Sequence, residues 1–388
     1  MIGAVDLVGQ RRAMWAAAAV SSLGVLPVFL TGALAVQVRD DLGFDESGLG
    51  LTVAAFFGAA SALSTLGGRV AERLGPAAAT RCSALVSALG LALVAAVARS
   101  LPVLLACLVV GGAGNALAQP ATNLLLAQRV PPPRLGTAFG IKQSAIPIAT
   151  LLGGLSVPTV ALTVGWRWAF AGAAVVAVVL AWRDPGSVEG VEVRRGARRS
   201  ADDAPLGSIV LLGIGAALGA AAAGTLGSFL VSSAVADGMA ESTAGYLAFG
   251  CSAAGVATRM SLGVRADRTR ARQLPVVVFM LGAGALAYVA LAAGESWLIV
   301  PGALGGYCLA WAWPGLVNLT VVRANPGAPG AATGIMQTGT YIGAVVGPLL
   351  FGIAVDATSY RAAWLGSAVT SAMSALAFSR AKAALHEL

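Results

Sequence analysis

The sequence predicts an all-α membrane protein of twelve transmembrane helices arranged as two parallel six-helix repeats. Three observations predict it. Apolar stretches long enough to cross a bilayer, which takes roughly 20 helical residues, recur from Met14 almost to the end of the chain. Polar, glycine and proline positions of the first half return in order in the second half. Finally, 57% of the 388 residues are hydrophobic and only 11% charged, with a mean hydropathy of +0.82, which excludes an ordinary globular enzyme. The stretches show no alternation of period two, so they read as helices and not as barrel strands.

Taken in order, the helices fall near residues 14–37, 46–66, 77–98, 101–127, 136–163, 166–182, 207–235, 242–262, 273–293, 297–321, 330–355 and 362–379. The first is followed by many more and lacks a cleavage signal, so it reads as a spanning helix and not a removed leader. Twelve crossings put both termini on one side. Sorting the basic residues by side gives 20 against 4, the minority being Arg39, Arg99, Arg167 and Arg361. The termini are therefore expected to be cytoplasmic, in an inner (plasma) membrane. Asp40, Asp41, Asp45, Glu46, Asp237, Glu241 and Glu295 fall on the outer side, where every loop is short. The net charge of +8 belongs to these short loops and not to one helical face, so no nucleic-acid partner is expected.

The long polar interruption from Arg183 to Pro205 is rich in arginine pairs, acids, Pro and Gly, and reads as a cytoplasmic linker. The expected division is a six-helix bundle over residues 1–182, a linker over 183–206 and a second bundle over 207–388. A shift of 194 or 195 residues superimposes Glu46-Ser47 on Glu241-Ser242, Gly111-Gly112 on Gly305-Gly306, and Pro120 on Pro314. It also superimposes Arg129 on Arg323, Gly140-Ile141 on Gly334-Ile335, Gln143 on Gln337 and Arg167 on Arg361. Six helices per unit is an even number, so both units cross in the same sense.

The four cysteines lie far apart in apolar stretches, and His386 is the only histidine, so no metal site, cofactor or catalytic dyad is expected. No Walker-type loop is present, so ATP is not expected to drive the protein.

GRVAERLG at Gly68–Gly75 and GVRADRTR at Gly263–Arg270 resemble the signature loop of the major facilitator superfamily, roughly G-x-L-A-D-R-x-G. The first copy has Glu72 in place of Asp and the second lacks the final Gly, while both keep the small, acid, arginine core. The resemblance covers the whole chain in architecture. It implies the facilitator fold, a secondary transporter with rocking halves, and a conformational latch formed by Gly68, Glu72 and Arg73 with Gly263, Asp267 and Arg268. It implies that Glu72 faces the start of the eleventh helix near Ala332–Gly334 and, by symmetry, that Asp267 faces the start of the fifth near Gly136–Ala138. An acid near a helix N-terminus gains from exposed amides and the helix dipole, so such contacts would hold the cytoplasmic side closed. The alternative is that these charges only fix topology and solvate a tight turn. Gly343, Gly347-Pro348 and Gly352 on the eleventh helix are similar to a motif that antiporters of the superfamily carry on the fifth. Here the fifth has Gly153-Gly154 without that proline.

Lys142 is the only charge placed inside a predicted span away from its ends, and ionisable groups at such depth suggest a function. The repeat keeps its neighbour Gln143 as Gln337 but replaces Lys142 with Met336, so packing does not require a cation there. No Asp or Glu lies centrally in any span, which leaves a substrate anion as the natural partner. Asn115, Gln119 and Thr122, at i, i+4, i+7 on the fourth helix, could hydrogen-bond an oxyanion. Gln337 and Tyr341 on the eleventh helix and Trp311 on the tenth would face them. Two other readings stay open: a lysine snorkelling to the headgroups, and polar residues bonded between helices. Arg259, one turn before Gly263, could reach the cavity, but the same place suits a cation at a cytoplasmic helix end, which is the preferred reading. The function expected is gradient-driven transport of a small organic or inorganic anion by a monomer in the lipid bilayer. Proton-coupled multidrug efflux is the alternative, followed by a non-transporting membrane receptor.

Overall fold

A computed structural model describes residues 7–182, 203–269, 272–325, 327 and 329–386. Most of the expected linker, residues 183–202, lies outside the described residues, as does Arg270 of the second signature stretch. The fold is entirely helical: α1 Leu7–Ala33, α2 Ala35–Leu42, α3 Glu46–Val97, α4 Leu101–Arg129, α5 Leu135–Gln143, α6 Ala145–Ser156 and α7 Trp166–Ala181 precede the linker. After it come α8 Leu206–Ala236, α9 Glu241–Thr269, α10 Leu274–Ala292, α11 Ser296–Gly305, α12 Pro314–Ala324, α13 Pro329–Ala357 and α14 Tyr360–His386.

Among the described residues, nine helices are long and apolar enough to cross a membrane. The others needed for twelve crossings are the second limb of α3, the shorter α7, and the broken pair α11–α12. At 52 residues α3 would extend about 80 Å if straight, more than twice a hydrocarbon core. It bends at Gly75, whose φ of 75° lies in the left-handed region, immediately before Pro76. Its limbs run side by side along α4, since Gly112 of α4 lies against Phe56 and Gly114 against Ser87.

Two expectations change here. The first signature stretch is not a loop: α3 stays helical through Leu74, and only Gly75 leaves helical geometry. Likewise α9 continues through Gly263 to Thr269 instead of ending at 262. The charged residues of both stretches are compatible with helix and ride on the last turns that leave the apolar layer. The tenth span is also not one helix. It passes through a π-helical stretch at Gly306–Ala310 and breaks at 311–313 before Pro314 restarts it as α12, because proline offers no N–H to the preceding turn.

Two helix ends near the start of the chain have a clear local cause. Asp45 caps α3 by accepting from the Gly48 amide at 2.8 Å, and Gly43 ends α2 in the left-handed conformation. Large apolar side chains such as Val175, Phe279, Leu286 and Leu350 are exposed on the outside, where a bilayer covers them. The interior holds an aromatic cluster in which Phe29 of α1 meets Phe57 of α3 and Trp311, at ring-centroid distances of 6.3 and 5.6 Å.

Helices from before and after the linker touch along α1–α8, α3–α13, α5–α9, α5–α12 and α6–α9. Small residues permit close packing within the second part as well. The α13 glycines singled out above, Gly343 and Gly347, press on Ala217 and Ala221 of α8, with backbone against backbone. A β-carbon at Gly347 would meet the Ala221 Cα and carbonyl inside van der Waals contact, whereas one at Gly282 of α10 meets nothing within 4 Å. Gly347→Val is therefore expected to lower the thermal unfolding temperature by overpacking, at a cost of about 1–3 kcal/mol. Gly282→Val leaves it unchanged or slightly raised. Thermal unfolding of the two purified variants checks this.

Candidate functional site

The site begins where α5 meets α9. Gly136 and Gly140 on α5 face Gly263 and the backbone of Arg259 on α9, and the helices run so close that a β-carbon at Gly263 would lie 2.5 Å from the Gly136 carbonyl oxygen. This contact brings Asp267 onto the first turn of α5. Its carboxylate accepts from the Gly136 amide at 2.7 Å, the Thr137 amide at 2.7 Å and the Thr137 hydroxyl at 2.6 Å. These are donors that a helix start leaves unsatisfied, so the acid acts as an N-cap supplied from another helix.

The first-half copy stands differently. Glu72 is exposed and, among the described residues, has neither a hydrogen-bond nor an ion-pair partner. Gly68 and Gly334 each face open space. Arg73 and Arg268 are exposed. At this end of the bundle, then, α5 and α9 are closed while the α3 and α13 limbs stand apart.

The other end is closed. Asp356 at the end of α13 accepts from the Glu46 amide at 3.2 Å, the Ser47 amide at 2.6 Å and the Ser47 hydroxyl. Glu46, itself buried, pairs with Arg39 and accepts from the Tyr360 hydroxyl, and Gln37 donates to Glu241. Backbones touch at Gly32–Ser228, Gly50–Pro348 and Gly154–Gly245.

Between the two ends sits Lys142, on the last turn of α5. Its side chain is only 5% exposed, and its ammonium donates to the Asn123 side-chain oxygen of α4. Among the described residues no carboxylate pairs with it. Asn123 follows Gln119 by one turn on the helix already singled out; the sequence reading missed it because the i, i+4, i+7 pattern ended at Thr122. The polar stripe itself faces α1. Asn115 is buried against Gly24 and accepts from Gln119 at 3.3 Å, and Thr122 meets Ser21 at 3.2 Å. Gln337 is half-buried and Tyr341 buried on α13, and among the described residues neither bonds to Asn115, Gln119 or Lys142.

Trp311 and Gln143 are brought together by a residue given a different place above. Arg259 does not lie at a solvated helix end; it is 3% exposed in the seam. Its guanidinium donates to the Gln143 carbonyl at 2.5 Å and to the Trp311 carbonyl, and it lies 5.7 Å from the Trp311 ring centroid. Each carbonyl lies where a helix breaks. Pro147, four residues after Gln143, has no N–H to offer that carbonyl, and Trp311 begins the 311–313 break before α12. Two helices that break in apolar surroundings each expose an acceptor, and one arginine serves both. Its Nε is buried without a partner. The signal that could have located it is the pairing of Pro147 and Pro314 with a lone arginine one turn before Gly263.

The chain matches the Major Facilitator Superfamily over residues 14–204 and 212–385. It belongs to that superfamily. Facilitators are multi-pass membrane transporters and not enzymes, so transport is the function. Solved structures share the fold at low identity. A bacterial homologue of the human lysosomal transporter Spinster, inward-facing and occupied, matches with a TM-score of 0.73 and 15% identity, covering 95% of this chain and 96% of that one. The same homologue, inward-facing and unoccupied, gives 0.73 and 15% with 98% of each chain covered. The human organic anion transporter MFSD10 (TETRAN) gives 0.71 and 15%, covering 95% of this chain and 99% of that one. No curated protein matches in sequence.

The geometry of this facilitator separates its two acids. Removing an N-cap costs about 0.5–2 kcal/mol, so Asp267→Ala is expected to speed hydrogen exchange at the α5 amides from Gly136 to Gly140 by several-fold. Glu72→Ala leaves those amides unchanged. Hydrogen-exchange mass spectrometry of the two variants checks it, and equal effects would remove the distinction.

Proposed function

We propose that this facilitator is a secondary active carrier of a small organic or inorganic anion, and that Lys142 is its principal anion contact. The observation that carries the reading is a cation whose side chain is buried in an apolar bundle and whose partner, among the described residues, is a neutral amide. An ionised ammonium there is costly, and a partner of opposite charge that comes and goes explains its retention better than packing does. The amide that takes the ammonium, Asn123, is exposed, so the charged head is within reach of a solute; the response of Lys142→Met to anions separates this role from snorkelling. One structural neighbour is an organic anion transporter, which supports the same reading.

The mechanism is alternating access between two parallel six-helix repeats, residues 1–182 and 207–388, joined by the 183–206 linker. Twelve crossings and the uneven distribution of loop cations put both termini, the linker and the Asp267 end in the cytoplasm of a cell with this protein in its inner membrane. Moving Arg259 into the interior leaves that imbalance standing. On this orientation the Asp356 cluster is the outer gate. Gly68, Glu72 and Arg73, with Gly263, Asp267 and Arg268, are the inner latch, with only the Asp267 arm engaged in the state described. Gln143, Asn115, Gln119, Gln337, Tyr341 and Trp311 serve the site as wall and hydrogen-bonding groups, the carrier working as a monomer without ATP or cofactor.

Two outcomes are expected. A maleimide probe applied from outside intact cells does not label Ser200→Cys, whereas it does after permeabilisation; labelling of intact cells overturns the orientation. For the site, purified protein is tested by thermal shift against nitrate, acetate, succinate and phosphate, with tetraphenylphosphonium as the cationic contrast. Anions stabilise the wild type. Lys142→Met folds but loses about 1.5–3 kcal/mol of that interaction, roughly ten- to a hundredfold in affinity, and Lys142→Arg recovers part. Unchanged anion shifts in Lys142→Met sink the assignment.

A further inference from the structure

The α5 segment around Gln143 is bracketed by two buried cations: Lys142 reaches toward α4, while Arg259 reaches in from α9. Only the first has been given a role. Arg259 is the more constrained. Of its five N–H groups, two are drawn into bonds with neutral carbonyls, the Nε hydrogen has no acceptor, and its ionisable neighbours are Tyr307 and Cys308, not a carboxylate. A full charge is an expensive way to satisfy two neutral acceptors, which an asparagine or glutamine amide could do without one. The guanidinium fork is the side chain whose shape matches a planar oxyanion in two parallel hydrogen bonds.

The bond to Gln143 also joins the first half of the chain to the second. It exists only while α5 and α9 are in contact, and it sits in the same seam as the Asp267 cap. Opening the seam pulls the Gln143 carbonyl away and leaves the guanidinium with one acceptor fewer. Water entering an empty seam hydrates the fork, whereas a planar oxyanion takes two of its donors at once as an ion pair, so the anion favours the open form more than water does. We infer that Arg259 is a second anion contact, whose bond to the Gln143 carbonyl is exchanged for a planar oxyanion of the carboxylate or nitrate type when the α5–α9 seam opens. The seam then opens more readily when loaded, which favours anion exchange. This rests on the anion reading proposed above, and goes beyond it by assigning a second residue, a planar substrate class and a dependence of opening on occupancy.

The test measures opening directly. Spin labels at Ala127 on α4 and Arg265 on α9, both exposed, report the seam by double electron–electron resonance in purified full-length protein whose four native cysteines are replaced. Nitrate and acetate are the probes. The expected result is a short distance in probe-free wild type and a shift to longer distances as either probe is added. Arg259→Gln, which carries no charge to pair with an anion, keeps the probe-free distance and shows no response to either probe. Arg259→Lys keeps the charge but not the fork, and needs at least about tenfold more probe for half the shift. The inference is overturned if both Arg259 variants respond at the wild-type probe concentration, or if neither probe moves the wild type. In the first case, loss of the response in Lys142→Met leaves the Lys142 reading standing alone. In the second, the thermal-shift comparison of Lys142→Met with wild type still decides that reading independently.

Discussion

The contact between the backbones of α5 and α9 governs most of what has been described. Gly136, Gly140 and Gly263 let the two helices approach without side chains between them, and three consequences follow from that distance. A carboxylate on α9 reaches amides on α5, a guanidinium on α9 reaches a carbonyl on α5, and the two halves of the chain are held at one end by polar bonds in apolar surroundings. Hydrocarbon supplies no competing water, so a backbone group left open there costs several kcal/mol. The prolines that break α5–α6 and precede α12 would be liabilities in such a place without a donor that can span the gap. Arg259 turns both breaks into one bond network, and its position is therefore dictated by backbone chemistry as much as by charge.

The distribution of charge follows the same economy. Acids are kept at the two ends of the bundle, in Asp267, Glu46 and Asp356, where amides, a hydroxyl or Arg39 compensate them. Cations alone are taken inside. An interior with positive groups and, among the described residues, no carboxylate would offer an anion hydrogen-bond donors already in place. On the anion reading proposed above, selectivity would need no tailored pocket, only the exclusion of one sign of charge from the centre.

Much of this architecture was legible in the sequence because bilayer thickness and helix rise leave few alternatives. Every predicted span has a helical counterpart, but not always a single helix: the fifth breaks at Ser144 between α5 and α6, and the tenth at Trp311–Trp313 before Pro314. The signature stretches were legible by composition but not by conformation: charge and glycine suggested loops, whereas Val70 to Leu74 and Val264 to Thr269 continue the helices that carry them. Site residues were harder. Lys142 stands out in any reading as a lone interior charge. Asn123 and Arg259 do not, because one looks like a polar residue near a helix end and the other like one of many arginines beside a loop. What distinguishes Arg259 is which carbonyls are left open where two other spans break, and that is a property of packing.

One symmetry between the ends of the bundle has a mechanical meaning. Asp267 and Asp356 both belong to the second half of the chain, and each caps a helix of the first half through two consecutive amides and one hydroxyl, at α5 on one side and at α3 on the other. Parting either end uncovers the same inventory of donors. The molecule resembles a beam balance whose pans carry equal weights: neither tilt is favoured by the caps themselves, and small loads elsewhere decide which way it leans. On the alternating-access reading proposed above, such a balance would respond to a modest solute gradient, and a single substitution at one pan would leave it resting on the other.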